Sequence, residues 1–317
     1  DEDTIDGGTG DDNISAGNGD DTILTSLNDG DDVINGNANT DIIDFSSKTS
    51  ALNITLLDNG AQFTYGTSGS ETGQDTISNV EGFIGTSNGD SITGNNENNV
   101  FFGRDGADIL SGNAGNDSLY GENGADTLRG GLGDDTIDGG NSEDDWVEFD
   151  ASSSVNVSLR GDTGSATGEG TDSITNVEHI RMGNGTNTAE GDNSDNSIVG
   201  GTGTDTLSYT GATSSVSITL NGVGSGTSTG DGNDTFSNFE NFTGSSAHVD
   251  SIDLSALQAN ASTVTINGNN PISFVNNGNT STLTDIETII TGSNNDTFNY
   301  TGTTSIDTLN AGASTDT

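Results

Sequence analysis

The 317-residue chain contains no cysteine, one proline, one methionine, one tryptophan and only five basic residues. Without cysteine there are no disulfides, thiolate metal sites or thiol nucleophiles. The basic set is Lys48, Arg104, Arg129, Arg160 and Arg181, against 50 acidic residues and a net charge of -45. No basic patch can therefore form to grip nucleic acid, acidic polysaccharide or anionic lipid, and cations are the natural partners. No apolar run approaches the length of a membrane-spanning helix, so membrane insertion is not expected. Hydrophobic residues make up only 27% of the chain, a proportion that combined with this charge usually leaves a polypeptide disordered. No apolar 3.6-residue period runs for a useful length, which argues against helices. One short helical turn is expected near Ser255-Ala256-Leu257-Gln258. With Pro271 the single proline, little interrupts strand stacking.

What is present is glycine, 48 residues of it, arranged with a period of nine. From Gly85 the chain divides without a gap into GTSNGDSIT, GNNENNVFF, GRDGADILS, GNAGNDSLY, GENGADTLR, GGLGDDTID and GGNSEDDWV. Position six holds Asp90, Asn99, Asp108, Asp117, Asp126, Asp135 and Asp144. Position eight holds Ile92, Phe101, Leu110, Leu119, Leu128, Ile137 and Trp146, expected to fill the core. Around 144–147 the register is ambiguous, because Asp145 and Val147 fit as well. A second array comprises GGTGDDNIS from Gly7, AGNGDDTIL from Ala16, LNDGDDVIN from Leu27 and GNANTDIID from Gly36. Its position-six residues are Asp12, Asp21, Asp32 and Asp41. Partial repeats recur later at Asp205, Asp296 and Asp307. Both chain ends cut through a repeat, which suggests that a longer protein continues beyond them.

Longer, degenerate modules lie between and after the arrays. Each opens on an Asp-x-apolar step such as Asp205/Leu207/Tyr209 or Asp250/Ile252/Leu254, continues through an alternating strand, and reaches an apolar-Glu pair. These pairs are Val80-Glu81, Val177-Glu178, Phe239-Glu240 and Ile286-Glu287. The modules are expected to be widened turns of one solenoid. The expected organisation is a roll over 1–45, a degenerate module over 46–84, a seven-repeat roll over 85–147, and degenerate β-helical modules over 148–317.

One nonapeptide can build a short strand from its last residues and a glycine-rich turn from its first six. Two make a coil of about 18 residues. Asp90, Asp108, Asp126 and Asp144 then line one edge, with Asn99, Asp117 and Asp135 on the other. Carboxylates stacked at the spacing of neighbouring strands, about 4.8 Å, repel one another. A divalent cation between turns would cancel that repulsion and clamp the coils. Carboxylates and backbone carbonyls, with no His or Cys in register, make a hard oxygen site that suits Ca²⁺ better than transition metals. Mg²⁺ demands stricter geometry and retains water.

The pattern resembles the RTX (repeats-in-toxin) family, whose G-G-x-G-x-D-x-U-x nonapeptide is matched at every defined position by GGTGDDNIS at 7–15 and GGLGDDTID at 130–138. The resemblance implies an all-β fold, a right-handed parallel β-roll that binds several Ca²⁺ ions. It implies carboxylate ligands at Asp12, Asp21, Asp32, Asp41, Asp90, Asp108, Asp117, Asp126, Asp135, Asp144, Asp205, Asp296 and Asp307. Turn carbonyls such as those of Gly8, Gly10, Gly17, Gly19, Gly106, Gly115, Gly124 and Gly133 would complete the sites. Asn99, Asn187 and Asn196 depart from the pattern, and their turns should bind weakly or not at all. The family further implies type I export, with folding triggered by extracellular calcium.

Nothing marks a nucleophile or its base. His179 and His248 stand apart, and Glu143-Asp144-Asp145 lies within a repeat, where ion binding is the simpler reading. No threonine rank occupies position three, which argues against ice binding. The expectation is a non-enzymatic, extracellular or surface-exposed structural region of a surface layer, filament or large adhesin, with self-association a further expectation. The alternative is the export and folding region of a toxin or secreted hydrolase. A carbohydrate-binding module would need an exposed aromatic cluster that the sequence does not display.

Overall fold

The structure, a computed structural model, describes residues 1–25, 30–57, 66–67, 75–141, 144–149, 154–161, 163–257, 263–267, 272–276, 279–291, 295–301 and 308–312. Asp307 and Gln258 lie outside them. The described residues are strands and turns, with no helix. They fall into two compact units, 1–149 with 165–177 and 150–164 with 178–317.

In the first unit the nine-residue period becomes two columns of parallel strands. Ser91–Thr93 pairs with Ile109–Ala114, which pairs with Thr127–Leu132. In the other column Val100–Asp105 pairs with Ser118–Asn123, and that with Thr136–Gly140. The register stacks Ile92 on Leu110 on Leu128, and Phe101 on Leu119 on Ile137. All six are at most 1% exposed. The interior is thus a ladder with one inward apolar residue per nonapeptide, the period-2 alternation of strands applied to a very short strand. The first array extends one of these columns and adds a separate three-stranded one. Ile23, Ile43, Phe83 and Phe101 succeed one another in one, and Ile14, Ile34 and Ile77 in another. Phe45, Phe83 and Phe101 pack with ring centroids 5.9 and 6.0 Å apart, within the range of favourable aromatic pairs.

Two sequence expectations need correction here. Array strands run up to six residues, through the first positions of the following repeat, so each turn shrinks to the residues around position four. The first positions extend in this way because glycine at position one allows the backbones of successive coils to approach closely. The ambiguous register at 144–147 resolves to Asp145 and Val147, with Val147 opposite Leu128 and Trp146 opposite Thr127. A one-residue slip exchanges the two faces of a strand. The observed register buries Val147 and Phe149 together, whereas the alternative would drive Glu148 into the apolar column. Trp146 is therefore half-buried on the outer face rather than in the core, and Glu148 pairs with Arg129.

The second unit keeps parallel columns but widens the coils. Ile180 stacks on Ile198 and then on Phe236, and Ala189 on Leu207, Phe242 and Leu283. The added residues form antiparallel excursions: Ser217–Gly222 with Ser225–Thr229, and Thr263–Asn267 with Ile272–Asn276 and Asn279–Thr284. The helical turn expected near 255–258 is instead a single turn closed by the Leu257 N–H donating to the Leu254 carbonyl. Among the described residues no helix is long and apolar enough to cross a membrane.

Candidate metal centre

Each position-six carboxylate performs a structural task with one of its oxygens. The Asp90 backbone N–H donates to Asp108 Oδ1 at 2.6 Å, and that of Asp108 to Asp126 Oδ1 at 2.7 Å. Asn99 and Asp117 donate likewise to Asp117 and Asp135 Oδ1 at 2.7 and 2.8 Å. The first array repeats the pattern from Asp12 to Asp32, from Asp21 to Asp41 and from Asp32 to Asp75. These coils are thus tied to their neighbours through a carboxylate that accepts a backbone N–H.

The second oxygen is left over. Oδ2 of Asp12, Asp21, Asp41, Asp108, Asp117, Asp135 and Asp205 is buried without a hydrogen-bond partner. In the coils of Asp41, Asp108, Asp117 and Asp135 it faces position one of its own repeat, where glycine leaves room, whereas the Asp21 coil carries Ala16 there. A methyl group at Gly121 would overlap Asp126 Oδ2 and stand 2.5 Å from the Gly139 carbonyl oxygen. At Gly112 it would overlap Asp117 Oδ2 and stand 2.7 Å from the carbonyl oxygen of Gly130, in the next coil. At Asp117 a carboxylate oxygen and a carbonyl oxygen thus converge on a small space with no donor between them. Two buried acceptors facing each other carry a desolvation cost that only a proton or a cation relieves. Burial accordingly pushes the carboxyls of Asp108, Asp117 and Asp172 up to about 7, and those of Asp41, Asp135 and Asp205 upward. Among the described residues no three acidic or histidine side chains converge. Each step offers one carboxylate plus backbone carbonyls, the donor set of a hard cation such as Ca²⁺.

The backbone at position two separates two kinds of turn. It is left-handed in the coils of Asp12, Asp21, Asp41, Asp108, Asp117, Asp135 and Asp205, at Gly8, Gly17, Asn37, Arg104, Asn113, Gly131 and Gly201. In the coils of Asp90 and Asp250 it is not. There the position-two N–H of Thr86 donates to Asp90 Oδ2 at 2.7 Å, and that of Ser245 to Asp250 Oδ2, closing the space. Asn99 and Asn196 accept the same bond from Asn95 and Asp192. Their amide nitrogens donate to the carbonyls of Glu81 and Glu178, while Asn187 donates to Gly183 and Gly200. The amide thus does with its own protons what a cation would otherwise do. Asp234 is satisfied differently, by the buried hydroxyls of Tyr209 and Ser228. Arg160 provides a built-in cation in the second unit, between Glu190 and Asp231.

Left-handed backbone is costly for side chains other than glycine and asparagine. Glu122 adopts it at position two, with φ 72°. Glu122→Gly should raise stability by about 0.5–1 kcal/mol, the left-handed penalty less the extra unfolded-chain entropy of glycine. Thermal unfolding in saturating calcium checks this.

The sequence-predicted residues divide accordingly. Asp12, Asp21, Asp41, Asp108, Asp117, Asp126, Asp135 and Asp205 occupy ladder positions with Oδ2 buried, as does Asp296. Asp32 is buried in the ladder, and Asp90 is buried with Oδ2 already capped. Asp144 is corrected: it is exposed, and Asp145 takes the ladder position, accepting the Asp126 N–H. Gly10, Gly19, Gly106, Gly115, Gly124 and Gly133 stand at position four, and Gly8 and Gly17 at position two, all left-handed. The carbonyls of position one, as in Gly121, Gly130 and Gly139, stand on the Oδ2 side of the ladder carboxylates, and the position-four carbonyl of Gly106 stands near Asp126 Oδ1. Sequence reasoning did not assign Asp75 and Asp172 as ladder members. Their signal was the Asp-x-Ile step at Asp75-Thr76-Ile77 and Asp172-Ser173-Ile174, lacking a regular glycine turn.

The family model for the RTX calcium-binding nonapeptide repeat (four copies) matches residues 1–29, 26–47, 84–119, 111–145 and 183–211. These segments are RTX repeats. Their ligand is Ca²⁺, bound at several repeats, and the orphaned Oδ2 row is where the chain fits it. The RTX matches take in both arrays and the stretch around Asp205, leaving 48–83, 146–182 and 212–317 outside. No curated protein matches the chain.

Proposed function

We propose that this chain is the calcium-dependent structural region of a secreted or cell-surface bacterial protein, a surface layer, filament or large adhesin, and that it performs no catalysis. The observation that carries this reading is the row of buried Oδ2 atoms facing carbonyls. Asp12, Asp21, Asp41, Asp108, Asp117, Asp126, Asp135, Asp145 and Asp205, with the carbonyls beside them, would hold the ions. Calcium supplies the positive charge between coils. The chain's own groups do the rest: Oδ1 ties neighbouring array coils together, the position-two backbone turns Oδ2 inward, and glycine at position one, replaced among these coils only by Ala16 in the Asp21 coil, keeps the space open.

Support for a non-catalytic role comes from where the reactive groups lie. Tyr209, Ser228 and Asp234 are hydrogen-bonded to one another but at most 2% exposed, closed to any substrate. His179 Nδ1 accepts the Ser197 N–H, and His248 contacts Ser245. Both are spent on local structure.

A load-bearing region should be rigid only when calcium clamps its coils. Pulling single chains by both ends should give force-resisting unfolding events in millimolar Ca²⁺ and nearly free extension of the arrays in chelator. Equal resistance in both conditions would sink this reading. The layer or filament form also requires copies to associate, which sedimentation of the calcium-loaded chain decides.

A further inference from the structure

The four apolar-Glu pairs share a local conformation. The residue before each pair, Asn79, Asn176, Asn238 or Asp285, is left-handed, with φ of 51, 51, 63 and 49°. Ser or Thr precedes it, and the apolar residue after it is buried: Val80, Val177, Phe239 or Ile286. Glutamate then follows. Three of these glutamates accept the backbone N–H of an earlier position-six aspartate: Glu81 from Asp41 at 2.9 Å, Glu240 from Asp205 at 2.8 Å, and Glu287 from Asp250 at 2.7 Å. In the arrays the next Asp Oδ1 makes that bond.

The left-handed residue supplies the other half of the arrangement. A methyl at Gly36 would overlap both Asp41 Oδ2 and the Asn79 carbonyl oxygen. At Gly139 it would overlap the Asn176 carbonyl and stand 2.8 Å from Asp145 Oδ2. At Gly200 it would overlap the Asn238 carbonyl, 3.1 Å from Asp205 Cβ. These are the cradles of the arrays, with the Asn carbonyl where the next repeat's position-one carbonyl would be. The left-handed turn aims that carbonyl inward, and the buried apolar residue anchors it. The four elements lie at 78–81, 175–178, 237–240 and 284–287, outside every segment that matches the repeat family.

We propose that the Ser/Thr-Asn/Asp-apolar-Glu element is a closing half-site for calcium: its left-handed carbonyl completes a cation site on the Asp of a preceding nonapeptide, at Asp41/Asn79, Asp145/Asn176 and Asp205/Asn238. The inference rests on the reading that the ladder carboxylates hold Ca²⁺. It lets a ladder end on a widened coil without leaving its last carboxylate bare. Glu81 and Glu240 are positioning residues, holding the Asp backbone rather than the ion. The fourth element is the internal contrast. At Asp250/Asp285 the Ser245 N–H already donates to Asp250 Oδ2, so no ion is assigned there.

The test is the number of Ca²⁺ ions on the full chain, counted by native mass spectrometry at saturating calcium. Asp205→Asn and Asn238→Val, which disfavours the left-handed backbone, should each remove one ion. Asn238→Gly, which keeps both the turn and the carbonyl, and Asp250→Asn should remove none. Asp117→Asn reports on the arrays alone and should remove one ion. If it does while Asp205→Asn or Asn238→Val keeps the full count, the closing half-site is wrong and the array reading stands. If Asp117→Asn keeps the full count, the array reading itself fails. Loss of an ion from Asn238→Gly or Asp250→Asn would also overturn the proposal. Should Asn238→Val fail to fold, Asp205→Asn against Asp250→Asn decides the matter.

Discussion

In excess chelator at about pH 8 the two arrays should lose their β-structure, and lowering the pH towards 4 should restore part of it without metal. The reason is the pair of facing acceptors at each ladder step. Asp108, Asp117 and Asp172 have carboxyls raised by burial from 3.8 to about 7, whereas in the unfolded chain they titrate near 4. The folded form therefore binds more protons between these values. A group raised in this way contributes stability that is complete below its unfolded pKa and lost as the pH climbs through its folded pKa. For these carboxyls the window runs from about 4 to 7. Above it the metal-free roll must hold buried, unneutralised carboxylates, and a cation is the remaining remedy. Calcium and protons thus compete for the same oxygens, so calcium binding at about pH 6 should release protons and weaken on further acidification.

Hydrogen exchange of Val100–Asp105 and Ile109–Ala114 would follow this directly. Protection in chelator that does not change between about pH 8 and pH 4 would refute the account. Ile198 and Phe236 provide a comparison, because their coils are clamped by the Asn196 amide and by the hydroxyls on Asp234. They should keep more protection in chelator than the arrays.

The second large effect comes from a single methyl group. Gly112→Ala should cost the chain one calcium ion and, with free calcium about a thousandfold above the site's dissociation constant, about 4 kcal/mol of stability. Gly112 does not have a left-handed backbone, so alanine is not excluded by conformation; the added methyl fills the space between Asp117 Oδ2 and the Gly130 carbonyl. Urea unfolding should show the loss in calcium and a smaller one in chelator at about pH 4, where protonation keeps part of the roll folded and the methyl only displaces Asp117 Oδ2 and the Gly130 carbonyl. A deficit of equal size in both conditions would mean that the glycine serves packing alone. Asp117→Asn makes the complementary case. It also gives up the ion, but places an amide where Asn187 uses one to reach the Gly183 and Gly200 carbonyls. That variant should tolerate chelator better than the parent chain.

The family, the all-β class and the ladder itself were legible because they follow from spacing. A period of nine with Asp at six and an apolar residue at eight can bury its apolar set only by stacking two repeats per coil, and Ile92, Leu110 and Leu128 stack in that way. A glycine-rich turn over the first six positions was equally readable, since glycine tolerates the positive φ that a tight turn demands. The choice between Asp144 and Asp145 was not. Both fit the local pattern, and the decision lay in whether Phe149 or Glu148 would join the apolar column. Asp75 and Asp172 showed only an Asp-x-Ile step, and their place in the ladder was decided by Asp32 and Asp135, 43 and 37 residues away, whose N–H groups they accept.

Sequence by itself determined that the two arrays are calcium-binding repeats, because a strict period with one carboxylate per turn allows few other packings. Only the tertiary structure decided which turns leave an oxygen for the ion. Asp90 and Asp108 carry the same residue at the same position. At Asp90 the Thr86 N–H has already claimed Oδ2, while at Asp108 the left-handed Arg104 turns its own N–H away. Oδ2 then faces a carbonyl, so one acceptor is satisfied within the chain and the other needs a cation. That difference is set by the backbone and the neighbouring coil, neither of which a nine-residue pattern contains.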